Sequence, residues 1–114
     1  MVSYQPADIR WTVAAHAHAA AIAIENSLGE KWYNEAKEGL KFLLSNYFST
    51  HNKCDAALGK TIRPIGGTAN GAILLKVRWG LPGHGRSGGL RLIFAAWCTE
   101  RNVEVQEINK RRDL

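Results

Sequence analysis

Pro82-Gly83-His84-Gly85-Arg86-Ser87-Gly88-Gly89 stands between two strand-like runs, residues 73–79 and 90–97, and the class of the whole domain turns on it. Glycine, proline and serine tolerate tight or open backbone, so the segment reads as a long hairpin loop. Gly83, Gly85 and Gly88 also spell G-x-G-x-x-G, a dinucleotide-binding pattern. That pattern works only when a helix follows, so that N-terminal amides meet a pyrophosphate. Leu90-Arg91-Leu92-Ile93-Phe94 follows instead, a β-type run. The dinucleotide reading fails. What remains is a hairpin bearing Lys76, Arg78, His84, Arg86 and Arg91, a place to hold a polyanion.

Downstream, residues 103–108 form a third strand, joined to the second by a hairpin turn over 98–102. Simple alternation puts Val103, Val105 and Glu107 on one face, and Glu104, Gln106 and Ile108 on the other. Upstream, 66–71 is a turn-rich bend and 51–59 a polar connector. The first half predicts two helices. One opens at Pro6 or Ala7, with Asp8 in its first turn, and runs to Ser27-Leu28, where Gly29 is a natural stop. The other spans about 30–48. There Trp32, Ala36, Leu40, Leu43 and Tyr47 make an apolar stripe at helical period, and Ser27 and Glu30 have capping-box spacing. The expected fold is therefore α+β. It is a single domain, 1–114, with an N-terminal helical hairpin (about 6–49) packed on a small antiparallel sheet (about 72–109).

At 114 residues the chain suits one core, and 46% apolar with 22% charged residues is ordinary for a globular protein. The net charge of +5 is unevenly placed. Residues 1–59 carry a balance of −1 and residues 60–114 a balance of +6, so the positive excess belongs to the strand-rich half. An anionic partner such as nucleic acid is favoured there. The Ala/Ile-rich stretch 12–24 is too short to span a bilayer and the N-terminus lacks the pattern of an export signal, so no membrane association is expected. Cys54 and Cys98 are expected as free thiols in a reducing cytoplasm.

Lys76 and Arg78 are two apart on one strand and share a face; Arg91 opens the facing strand. Lys110, Arg111 and Arg112 leave the third strand as it returns towards Arg91. These three segments, with no carboxylate among them, are expected to converge on one cationic surface, where guanidinium groups fit phosphate oxygens. His84 is a candidate acid or base at the loop tip, and Trp79, beside the loop, a candidate for stacking on a base. Other signals are weaker. His51-Asn52-Lys53-Cys54 has metal-like spacing but supplies one pair where a structural metal takes four ligands. His16 and His18 point in different directions on a helix. Gly59-Lys60-Thr61 echoes a phosphate-binding loop, but Cys54 stands where its first glycine belongs.

From Lys60 onward the chain resembles the RelE/ParE toxin superfamily, most closely its HigB-like branch. The likeness lies in Gly67-Thr68, Lys76-Val77-Arg78, the glycine-rich loop joined to Leu90-Arg91-Leu92-Ile93-Phe94, and the ending Asn109-Lys110-Arg111. It covers roughly the last 55 residues. The family's usual opening strand has only residues 2–5 available. The resemblance implies the toxin of a toxin–antitoxin pair, a ribosome-dependent endonuclease that cleaves mRNA by 2′-hydroxyl attack and needs no metal or cofactor. Its partners would be a cognate antitoxin, the ribosome and mRNA. Carried over, Lys76 matches a lysine that assists deprotonation, Arg78 the second basic residue of that strand, and Arg91 the arginine that stabilises the crowded phosphate, while Lys110 or Arg111 stands near the residue that helps protonate the leaving oxygen. His84, Arg86, Trp79, Lys110 and Arg112 become RNA-binding candidates. Several relatives place a tyrosine or histidine after the last strand, and residues 109–114 contain neither. The same superfamily includes gyrase inhibitors of the ParE type, and a non-catalytic basic RNA-binding protein is the third alternative.

Overall fold

The computed structural model describes residues 5–51, 53–80 and 89–110, with Pro6 and Lys110 described by backbone alone. A 3-10 turn, Pro6–Asp8, leads into strand β1 (Arg10–Val13). A second 3-10 turn, Ala15–Ala17, precedes helices α1 (His18–Leu28) and α2 (Glu30–Thr50). Strands β2 (Ile62–Gly67), β3 (Ile73–Gly80), β4 (Gly89–Trp97) and β5 (Asn102–Lys110) complete the order. Among the described residues the strands form one five-stranded sheet, ordered β1-β5-β4-β3-β2. β2 to β5 pair antiparallel, whereas β1 runs parallel to β5.

This overturns the expected N-terminal helical hairpin on a small antiparallel sheet. A strand comes first, the helices occupy the middle of the chain, and the sheet is mixed. Tertiary pairing outweighs the helical signal at 10–13. The Arg10 N–H donates to the Arg101 carbonyl and the Ala14 N–H to the Val105 carbonyl, each at 2.9 Å. The Trp11 ring meets Phe94 edge-on at 5.1 Å. A helix through these residues would forfeit both, and aromatic and β-branched Trp11-Thr12-Val13 suit a strand. At the opposite edge, β2 includes Pro64 and a register shift between Pro64 and Gly66. Edge strands tolerate both.

The helices cover one face of the sheet. Leu75, Val77, Leu92, Phe94, Val103 and Val105 are buried there with Ala36, Leu40, Leu44, Tyr47 and Phe48 of α2. The expected stripe on α2 holds in its phase. The capping box does not: Ser27 lies inside α1, and the N-cap of α2 is Gly29, which makes no side-chain cap. Gly29, at φ +89° and ψ 150°, ends α1 and begins α2 in a region that residues with a Cβ avoid. The alternation expected along β5 also fails. A bulge opposite the Ile93/Phe94 step inserts one residue, so Ile108 joins Val103 and Val105 in the core while Glu107 is exposed. Cys54 and Cys98, expected as free thiols, form a disulfide across 44 residues. Among the described residues no helix is long and apolar enough to cross a membrane.

Candidate functional site

Leu75 and Val77 are buried beneath α2, so their neighbours Lys76 and Arg78 lie on the sheet face away from the helices. Register then fixes what meets them. Arg63 of β2 sits directly opposite Lys76, and Arg91 of β4 directly opposite Arg78. Asn109 of β5 continues the second row beyond Arg91. Like charges placed directly across a sheet repel, and here two such pairs occupy adjacent rows. Among the described residues no carboxylate pairs with these four cations. The sequence-predicted trio of Lys76, Arg78 and Arg91 is thus brought together, with Arg63 added.

A cleft of about 310 Å³ lies beside them, lined by Gly59, Lys60, Arg63, Lys76 and Arg78. Lys60 and Arg63 were missed by sequence reasoning. Lys60 was set aside with the Gly59-Lys60-Thr61 triplet, and Arg63 belongs to an edge strand hidden by Pro64 and the glycines. The signal available was the +6 balance after residue 59, of which these two are the first cations. The connector from α2 to β2 carries Lys60 and is held at several points. The Tyr47 hydroxyl donates to the Ala56 carbonyl at 2.7 Å. The Leu58 N–H donates to the Ile62 carbonyl at 2.9 Å, and Arg78 N–H to the Thr61 carbonyl at 2.9 Å. The disulfide pins Cys54 to the end of β4. Burial, and secondly the nearby charge of Asp55, push the Tyr47 hydroxyl above its ordinary pKa, so it stays a donor.

Carboxylates reach this face from residues of β5 outside those cationic segments. Glu107 pairs with Ile93, and Glu104 with Ala95, so both stand on this same open face at its β5 side. The Gln106 amide donates to Glu104 at 2.6 Å. The face is polarised, cationic over β2, β3 and the start of β4, acidic over β5. Bidentate guanidinium groups can grip a phosphate's oxygens on the cationic side, while the acidic side turns anions away.

Trp79 does not join this face. Its ring packs on Gly39 of α2, where an added Cβ would overlap it, so it is turned from the cations and unavailable to stack on a base beside them. Lys110 pairs by backbone with Leu90. His84, Arg86, Arg111 and Arg112 lie outside the described residues, as does most of the glycine-rich loop. Cys54 is spent in the disulfide and the His51 ring packs near Tyr47, which removes the suggested metal pair. Among the described residues no group of three potential metal ligands occurs. His16 bonds through Nε2 to the Gln106 carbonyl at 3.0 Å, a tie between the second 3-10 turn and β5. Compared with family models, curated proteins and solved structures, the chain finds no match.

Proposed function

We propose that the protein is an endoribonuclease that cleaves mRNA on the ribosome, the toxin partner of a toxin–antitoxin pair. The observation that carries the reading is the crowding of Arg63, Lys76, Arg78 and Arg91 in two directly opposed pairs on one face, with no carboxylate paired to them among the described residues. A free fold gains nothing from that arrangement; a phosphodiester bound among the four relieves it. The resemblance in Lys76-Val77-Arg78 and in the Arg91 strand supports the same assignment.

In this reading Arg78 and Arg91 clamp the non-bridging oxygens and neutralise charge that builds as the phosphorus becomes five-coordinate. Lys76, one row away, helps take the proton from the ribose 2′-hydroxyl as that oxygen attacks. The P–O bond to the 5′ oxygen breaks, leaving a 2′,3′-cyclic phosphate and a 5′-hydroxyl. The resemblance assigns the proton for that leaving oxygen to the region of Arg111. Catalysis of this kind depends on positioning and charge neutralisation.

Induced expression tests the proposal. It is expected to arrest growth and truncate transcripts mapped by primer extension, and Arg91→Ala or joint Lys76→Ala/Arg78→Ala is expected to abolish both with the melting curve preserved. Equal arrest by these variants would defeat the assignment. Intact transcripts with DNA damage would point to gyrase inhibition, and undisturbed growth to non-catalytic RNA binding.

A further inference from the structure

We infer that Lys60 and Arg63 form a second phosphate subsite beside the one at Arg78 and Arg91, so that the site takes a single-stranded oligoribonucleotide laid across β4, β3 and β2. The inference rests on the nucleic-acid reading above and specifies the ligand's length and path.

Three observations carry it. First, the cations outnumber the needs of one phosphate, since an opposed arginine pair already presents enough donors for its oxygens. Arg63 lies two strands beyond Arg91, about 10 Å of sheet. Lys60 projects from the turn that precedes β2. Second, the cleft is displaced towards the β2 edge, because Gly59, Lys60 and Arg63 line it and Arg91 does not. Third, the opposite direction is barred by charge: Glu104 and Glu107 occupy the β5 side of the same face. A polyanion anchored at Arg78 and Arg91 is therefore steered over β2 and out beneath the Gly59-Lys60 turn.

The chemistry of the lining sets what is read there. Among the described residues the lining, Gly59, Lys60, Arg63, Lys76 and Arg78, offers no aromatic surface for a base, so the subsite grips backbone phosphate without regard to sequence.

The test is a fluorescence-anisotropy titration with 2′-O-methyl oligonucleotides, which bind but cannot be cleaved, over about 50 to 200 mM salt. One probe is a pentanucleotide; the other is a dinucleotide with a single phosphodiester. For Lys60→Gln/Arg63→Gln, pentanucleotide affinity is expected to fall about tenfold at low salt. The slope of log affinity against log salt should flatten by about 1.4, two lost phosphate contacts at about 0.7 each. The loss should be equal for purine-rich and pyrimidine-rich pentanucleotides, and under twofold for the dinucleotide. Charge-conserving Lys60→Arg/Arg63→Lys should restore the parental slope, which excludes a folding defect. If the Gln pair keeps the parental affinity and slope while Arg78→Gln loses both, the subsite is refuted and the nucleic-acid site stands. If the parent binds neither probe, both readings fall together.

Discussion

Arg78 and Arg91 face each other across β3 and β4 with no carboxylate beside them among the described residues, an arrangement that opposes folding slightly. Relieving it should therefore stabilise the free protein. Arg91→Gln is expected to add about 0.5 kcal/mol, a rise of about 2–4 °C in the thermal midpoint, while abolishing growth arrest. A fall in midpoint on this change would mean that the pair is tied down by some favourable contact. Tyr47 behaves in the opposite sense, a buried side chain whose hydroxyl fixes the connector at Ala56. Tyr47→Phe should cost about 1 kcal/mol near neutral pH. Burial and Asp55 hold the folded hydroxyl protonated to higher pH than in the unfolded chain. Its contribution is thus complete below about pH 10 and is lost as pH rises through the folded value. Urea unfolding at rising pH should show the parent converging on the phenylalanine variant above that point, and parallel curves would contradict the raised pKa.

At the helices, two glycines bear consequences that the pattern of apolar residues does not reveal. Gly29 joins α1 to α2 at φ +89°, and Gly39 lies against the Trp79 ring. Gly29→Ala should cost about 1–3 kcal/mol through backbone strain. Gly39→Ala, otherwise favourable in a helix, should destabilise by about 1–3 kcal/mol because Trp79 must move. Chemical denaturation of the two variants checks both, and a neutral Gly39→Ala would show that the ring has room to shift. These cases also mark what the sequence made legible. The period of Ala36, Leu40 and Tyr47 identified α2, and the runs around Leu75, Leu92 and Val105 identified three strands, because burial on one face writes a pattern into consecutive residues. Arg10–Val13 was hidden, since a four-residue strand is stabilised by β5, some ninety residues away. The bulge in β5 was equally unreadable, and it reversed the faces assigned to Glu107 and Ile108. The cations Lys76, Arg78 and Arg91 were legible from spacing alone. Arg63 required knowing that β2 exists, whereas Trp79's turn away from them follows from strand alternation, which sets it on the face of Leu75 and Val77.

The connector between α2 and β2 links the core, the sheet's far end and the candidate site, and the disulfide is what makes it one mechanical unit. Cys54 lies six positions before Lys60, and its partner Cys98 lies at the end of β4 remote from Arg91. Closing a loop of this length restricts the unfolded chain, and the chain-entropy relation gives about 4 kcal/mol for a separation of 44 residues. Thiol–disulfide exchange with a small dithiol converts the bond to two thiols and the reagent to its own disulfide, leaving the sequence unchanged. Stability should then fall by up to about 4 kcal/mol, measured by denaturation with and without the reductant. The binding consequence is more specific. Tyr47 still holds Ala56, and Arg78 still holds Thr61, so the sheet cations keep their places. Lys60 alone loses one of its anchors. Reduction should therefore weaken pentanucleotide binding and flatten its salt slope by about 0.7, one phosphate contact, while dinucleotide binding changes little. Cys54→Ser/Cys98→Ser should behave as the reduced form in either buffer. A reduced protein that keeps the full slope would show that the Gly59-Lys60 turn is held by its backbone hydrogen bonds alone.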